Sequence, residues 1–168
     1  RTSLTITRPN GKQETWEVLD ILQFTSTRKR SSVIVRQIGA DGKVWKNMTD
    51  QEKADAGNLR MFSKGADNVM MKMLRSDLKE TDPLYQVTVE HTTDFSKDGL
   101  RILVIAEKEV EFTYYDAWSK KYAKAKVAEV DRDQLMEVVM GEIEVELDLV
   151  GVTAIEDKLQ NGVPEAIS

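Results

Sequence analysis

The sequence predicts an α+β fold in which helices pack on a mainly antiparallel, twisted sheet. Alternating segments joined by a tight turn open the chain, because residues 2–8 and 13–24 flank the turn formers at 9–12. Further along, residues 112–129 carry apolar side chains every three or four positions, as amphipathic helices do. Strands and helices do not alternate in a strict βαβ order, which favours antiparallel pairing.

The other elements follow from local patterns in the same way. Apolar and β-branched runs predict further strands, which lie at 32–38, 44–47, 59–63, 100–106 and 148–155. Helical spacing of apolar residues predicts further helices, which lie just after residue 65, at 82–98 and at 132–146. Residues 48–58 predict a loop with a helical turn, and 156–168 predict turns with a short helical segment.

Composition excludes several classes of function. The chain has 168 residues, of which 40% are apolar and 32% charged, and this is typical of one soluble core. A net charge of −5 argues against a nucleic-acid partner bound through a broad basic face. With no cysteine and with His91 as the only histidine, zinc sites and nucleophile–histidine catalysis are excluded.

The chain also has neither a membrane segment nor a secretory leader in its sequence. No apolar run approaches the ~20 residues that a spanning helix needs, so we expect no direct membrane insertion. The chain opens on Arg1 without an initiator methionine, which suggests an excised piece of a longer protein.

The first candidate site is the segment that follows the second predicted strand. Phe24 is followed by small hydroxyl residues, Ser26 among them, and by three cations, Arg28, Lys29 and Arg30. An exposed ring can stack on a base while cations attract phosphates. A core phenylalanine followed by a solvated basic turn fits the same pattern, so both interpretations stay open.

The second candidate places a lysine where a predicted strand gives way to a helix. In the run Lys64-Gly65-Ala66-Asp67, Gly65 permits a sharp turn and the close approach of a ligand. Free amides at the helix start, beside the Lys64 ammonium, can hold a polar ring edge or an anion. Many strand–glycine–helix turns with a solvent-facing lysine bind nothing.

The third candidate is Arg101, which follows Asp98, Gly99 and Leu100 at the start of a buried strand. A guanidinium is always charged and its fork fits phosphate or ribose oxygens. It could equally pair with a carboxylate.

Other conspicuous residues are interpreted as ordinary structure. Neither a Walker loop nor a dinucleotide fingerprint is present. His91 is expected on a helix surface, and Trp118 with Tyr122 is expected in the core. Three glutamates are interpreted as a solvated helix face, namely Glu142, Glu144 and Glu146.

The order and spacing of the three candidate segments resemble the nucleotide-binding domain of P-type ATPases. In that family an aromatic with a polar-basic stretch, a Lys-Gly-Ala turn and a Gly-Leu-Arg form one adenine-nucleotide pocket. The resemblance implies that Phe24, Lys64 and Arg101 bind nucleotide, with Ser26, Lys29 and Gly65 as further pocket residues. Longer runs resemble the phospholipid-transporting, or flippase, branch, and these are residues 24–36, 64–67, 118–125 and 153–160.

The resemblance implies a division of labour with other domains of a longer chain. Residues 1–147 would form the nucleotide-binding domain, without its opening segment, and 148–168 the return hinge to a phosphorylation domain. The domain would be the cytosolic part of an integral membrane protein, with phosphorylation and actuator domains and an accessory subunit as partners. Mg²⁺ would arrive with ATP and be held mainly by the phosphorylation domain. The phosphorylated aspartate of the family's Asp-Lys-Thr-Gly-Thr loop is not in this sequence, so the chain alone is expected to be inactive.

Two departures from the family pattern leave alternatives open. Ser31 stands where the family usually has methionine, and the family's opening segment supplies an acidic residue near the adenine. The chain could therefore be an interaction or regulatory docking module without functional nucleotide affinity. A third hypothesis is a nucleotide-binding domain from a cation pump, and the run at residues 156–160 argues against it.

Overall fold

Six strands form one antiparallel sheet in the part of the chain that the structure, a computed structural model, describes, namely residues 3–156. Each strand pairs with the next along the chain, in the order β1 (Ser3–Thr7), β2 (Gln13–Leu22), β3 (Arg30–Gln37), β4 (Leu59–Gly65), β5 (Arg101–Val110) and β6 (Asp148–Ile155). This meander confirms the α+β class with a mainly antiparallel sheet.

Helices occupy the connections that are too long for a turn. They are α1 (Asp50–Asp55), α2 (Asp67–Met70), α3 (Leu78–Thr81), α4 (Pro83–Lys97), α5 (Phe112–Lys126) and α6 (Arg132–Ile143). The start of α4 is fixed locally, because the Asp82 carboxylate accepts a hydrogen bond from the Leu84 amide at 2.9 Å and Pro83 occupies the first helical position. Among the described residues, no helix has the length and apolar content that crossing a bilayer requires.

The core lies between one face of the sheet and the helices. Alternate residues of the central strands are fully buried there, as Ile34, Met61 and Val104 show. The rings of Trp118 and Tyr122 on α5 stack at 4.9 Å in this core, which confirms the prediction made for them. His91 is exposed on α4, as expected.

The prediction of a strand at 44–47 is wrong. Residues Trp45–Asn47 form a single 3₁₀ turn, and the Trp45 ring is buried against the rings of Phe112 and Tyr115 at 5.7 and 5.9 Å. The backbone amide of Trp45 donates to the buried Glu17 carboxylate at 2.8 Å, which replaces a strand partner. The packing of the Trp45 indole against residues remote in the sequence therefore overrides the local preference for a strand at 44–47.

Some element ends also differ from the sequence prediction. The helix after residue 65 is only the short α2, and α6 ends at Ile143 instead of residue 146. The segment predicted as a hinge begins at residue 148, and its first residues form β6, which pairs with β5. The short helix predicted within 156–168, and the end of the run at 153–160, lie outside the described residues.

Candidate functional site

A cleft of about 430 Å³ lies at one end of the sheet, where β3 begins, β4 ends and β5 begins. Antiparallel order brings these three strand ends together, although they are far apart in sequence. The cleft is lined by Phe24, Lys29, Ser31, Lys64, Gly65, Ala66, Arg101, Ile102 and Leu103. Its size is within the range of small-molecule pockets.

The aromatic wall of the cleft is Phe24. It belongs to residues 23–29, which connect β2 to β3 and are called the cleft loop below. The side chain is 62% exposed, so the ring is not used as core. One face of it is therefore available for stacking.

The cationic side of the cleft consists of Lys29, Lys64 and Arg101, all exposed. Lys64 is the direct cross-strand partner of Ser31, and Arg101 is the first residue of β5. Lys29 adopts a left-handed backbone conformation with φ of 51°. Within residues 3–156, neither Lys29 nor Lys64 forms a salt bridge with a carboxylate, so their charge is available to an anion.

Gly65 lets two backbone segments touch at the base of the cleft. A Cβ at this position would lie 2.6 Å from both the Lys29 carbonyl oxygen and the Arg30 Cβ. The Ala66 amide donates to the same Lys29 carbonyl at 3.0 Å. The group that approaches Gly65 closely is thus the backbone of the cleft loop.

Ser26 is exposed on the cleft loop but does not line the cleft. Ser31, which stands where the family pattern has methionine, is half-buried and does line it. The predicted pocket residues are therefore brought together, with Ser26 the exception.

The prediction that Glu144 lies on a solvated helix face is wrong. Its carboxylate is fully buried behind the cleft, just past the end of α6, and binds Arg28 and Arg30, the latter at 2.7 Å. Of the three cations that follow Phe24, Arg28 and Arg30 therefore both pair with Glu144, and only Lys29 lines the cleft.

A signal for the buried carboxylate was present in the sequence. The three glutamates at 142, 144 and 146 are spaced by two, and residues two apart do not share a helix face. The helix ends at Ile143, so Glu144 turns inward while its two neighbours in the series stay exposed.

No group of three or more acidic or histidine side chains that could hold a metal ion occurs within the ranges described. The cleft wall offers ammonium, guanidinium and ring surfaces instead. Such a wall suits an anion with a planar group, because cations attract phosphates and an exposed ring stacks on a base.

Comparison with known families identifies the family of the chain. Residues 4–162 match the family described as P-type ATPase, cytoplasmic domain N. The chain belongs to this family. The match confirms the resemblance inferred from the Phe24, Lys64 and Arg101 segments, and it identifies the chain as a cytoplasmic domain.

The N domain is similar to several named proteins. It is 42% identical over 158 residues to a phospholipid-transporting ATPase of Schizosaccharomyces pombe, a match that covers 94% of this chain and 11% of that protein. It is 40% identical over 169 residues to human phospholipid-transporting ATPase IC, covering 100% of this chain and 12% of the human protein. Phospholipid-transporting ATPase 10 of Arabidopsis thaliana is 40% identical over 157 residues, a match that covers 92% of this chain and 11% of that protein. The N domain thus spans only about a ninth of the length of these relatives.

Proposed function

We propose that this N domain binds the adenine and ribose of ATP in the cleft and presents the γ-phosphate to a phosphorylation domain of the same protein. The observation that carries the proposal is the meeting of an exposed ring, Phe24, with the cations Lys64 and Arg101 in one cleft. Membership of the P-type ATPase N-domain family supports it.

Each lining residue has a part suited to its chemistry. Phe24 stacks on the adenine ring. Lys64 lies at the base of the cleft near the ring and ribose, and the Arg101 guanidinium contacts ribose or phosphate oxygens. Lys29 attracts the phosphates electrostatically, and Gly65 shapes the base. Ser26, which is exposed on the cleft loop outside the lining, is a secondary candidate for a hydrogen bond to the nucleotide.

Mg²⁺ enters this proposal as part of the bound nucleotide. The wall of the cleft is cationic, and a divalent cation prefers oxygen ligands. The carboxylates that would hold Mg²⁺ therefore belong to the phosphorylation domain, which with the actuator domain is a further proposed partner. This N domain binds and orients the nucleotide, and the aspartate that accepts the phosphoryl group lies in the phosphorylation domain.

The whole protein is proposed to be an ATP-driven phospholipid transporter. The relatives named above carry that activity in their names, and their similarity extends over nearly all of the N domain. An accessory subunit of the transporter is a further proposed partner. A cation-transporting parent would use the same cleft, so the lipid assignment depends on the relatives and on the sequence runs that resemble the flippase branch, and not on the cleft.

Affinity for nucleotide should be low in the isolated N domain. One stack and a few solvent-exposed charge contacts sum to about 4 kcal/mol after association costs, which corresponds to a dissociation constant on the order of millimolar. Weak binding suits a domain that must release nucleotide in every cycle.

The proposal is tested by replacing the stacking ring. Phe24→Ala should weaken ATP binding by about 1–3 kcal/mol, because one base–aromatic stack is lost, while leaving stability unchanged since the ring is exposed. Leu84→Ala is the matched control, because Leu84 is 68% exposed on α4 and outside the cleft. Calorimetric or NMR titrations give both dissociation constants.

Equal ATP affinity of the Phe24→Ala and Leu84→Ala variants would overturn the proposal. If wild-type protein bound no ATP at all, a docking module without nucleotide affinity would be the better reading.

A further inference from the structure

A buried ion cluster lies directly behind the cleft and is built on Glu144. One carboxylate oxygen, Oε1, accepts hydrogen bonds from the Arg28 guanidinium and from the Ser32 hydroxyl, the latter at 2.5 Å. The other, Oε2, accepts from Arg30 Nε at 2.7 Å. The Ser63 hydroxyl of β4 lies 2.7 Å from that of Ser32 and extends the cluster across the sheet.

The cluster holds both ends of the cleft loop. The Arg28 guanidinium also donates to the backbone carbonyl of Gln23, which belongs to the peptide bond that precedes Phe24. At the other end, Arg30 donates to the Arg28 carbonyl at 3.1 Å. One carboxylate, contributed from just past the C-terminal end of α6, therefore restrains the chain on either side of Phe24 and Lys29.

Packing does not restrain the two residues that this loop presents. Phe24 is 62% exposed and Lys29 is exposed, so neither side chain is fixed by the core. Their position depends on the loop backbone, which the Thr25 carbonyl and hydroxyl brace internally through the Lys29 and Arg28 amides at 2.8 and 3.0 Å. A loop ordered before binding lowers the ordering cost that the ligand would otherwise meet.

From this geometry we propose that Glu144 is a positioning residue for nucleotide binding, which acts through Arg28 to hold Phe24 and Lys29 in the orientation that the ligand needs. The proposal rests on the proposed function of the cleft. It gives a purpose to a buried ion cluster that is expensive to desolvate and that well-packed apolar side chains could replace as a whole if stability alone were required.

The two strands that the cleft loop connects carry a matched control pair. Glu17 and Arg36, which face each other across β2 and β3, are both buried and lie 3.5 Å apart at the other end of the strands. Neither lines the cleft. Neutralising Glu17 therefore removes a comparable buried charge at a distance from the cleft loop.

The test compares Glu144→Gln with Glu17→Gln in the 168-residue chain. Amide NMR spectra are recorded without ligand, and the ATP dissociation constant is measured by titration. Glu144→Gln should shift or broaden the amides of residues 24–29 and weaken ATP binding about fivefold or more. Glu17→Gln should leave those amides in place and change the constant less than about twofold.

A double variant keeps the test valid if the single change prevents folding. Glu144→Gln combined with Arg28→Met removes both fully buried charges while Arg30, which is partly exposed, remains. This variant should fold and show the same loss of affinity, because the Gln23 carbonyl loses its anchor.

Any of three results would overturn the proposal. The first is wild-type ATP affinity in Glu144→Gln or in the double variant, and the second is an equal loss in Glu17→Gln. Unshifted amides at 24–29 in the Glu144 variants would reject it even if the wild type bound no ATP. If the wild-type chain bound no ATP but the loop amides shifted in the Glu144 variants, the result would instead contradict the proposed function of the cleft.

Discussion

At the scale of single residues, the cleft depends on Gly65, which leaves room for the backbone of a neighbouring segment. Gly65 faces the core side of β4, and the Lys29 and Arg30 backbone occupies the space that a side chain would take. The residue therefore sets the distance between the cleft loop and Lys64. This is a packing requirement of the folded chain, with no positive φ involved.

Gly65→Ala should destabilise the fold and weaken ATP binding together. The new Cβ would lie 2.6 Å from the Lys29 carbonyl oxygen and from the Arg30 Cβ, so the end of the cleft loop and the start of β3 must move, at a cost of about 1–3 kcal/mol. Gly151→Ala on β6 is the control, because its Cβ meets no heavy atom within 4 Å. Urea unfolding measures both free energies, and equal stability of the two variants would contradict the packing argument.

Lys64→Met should weaken ATP binding without changing the fold. The ammonium is exposed in the cleft, and its hydrogen bond to the ring or ribose contributes about 1 kcal/mol, or roughly fivefold in affinity. Added salt should narrow the difference from wild type. Lys46→Met, which removes an exposed charge outside the cleft, is the control, and a similar loss there would indicate only general attraction.

At the scale of elements, the sheet was the most predictable part of the molecule and the ion cluster the least. Alternation of apolar side chains fixes which face of a strand is buried, and turn residues fix the hairpins, so strands such as β2 and β6 are visible in the sequence. The turn at Trp45–Asn47 and the inward side chain of Glu144 depend on partners that are remote in the chain. The spacing of the three glutamates indicates that they do not share one helix face, but local sequence patterns do not identify the partners.

The short helix α1 gives a prediction for pH dependence. Its first turn is closed by a capping box between Thr49 and Glu52, and Glu52 also pairs with Lys43. The Lys43 hydrogen bond, followed by that of the Thr49 amide, lowers the pKa of Glu52 from 4.5 to about 2. Because the folded pKa lies below the unfolded value, this stabilisation is complete above about pH 4.5 and is lost as the pH falls towards 2.

An NMR pH titration checks this directly. The Glu52 carboxyl signal and the Thr49 amide should titrate together with a midpoint near 2, and Lys43→Met should move that midpoint up towards 4.5. A wild-type midpoint near 4.5 would show that the capping box does not hold in solution.

At the scale of the whole molecule, the cleft is a product of topology. A meander of antiparallel strands places the start of β3, the end of β4 and the start of β5 at one end of the sheet, so residues 24, 64 and 101 meet. The sequence identified the residue types and, through the family resemblance, their order. Their convergence depends on pairing register, which single-sequence patterns define only loosely.

Bound nucleotide should stabilise the entire N domain. With a millimolar dissociation constant, ATP at about 10 mM adds roughly 1.4 kcal/mol, which raises Tm by about 3–6 °C for a domain of this size. Phe24→Ala should abolish most of this rise, and inorganic triphosphate should produce little of it because it lacks the base. An equal rise with triphosphate would indicate a phosphate effect without adenine stacking.

The most direct measurement of the central claim is an NMR titration of the N domain with ATP, followed at the Phe24 ring, the Lys64 amide and the Arg101 amide. We predict that the three signals shift along one binding curve with a midpoint on the order of 1 mM. Signals that stay in place at about 10 mM ATP, or that shift along separate curves, would contradict a single nucleotide site in this cleft.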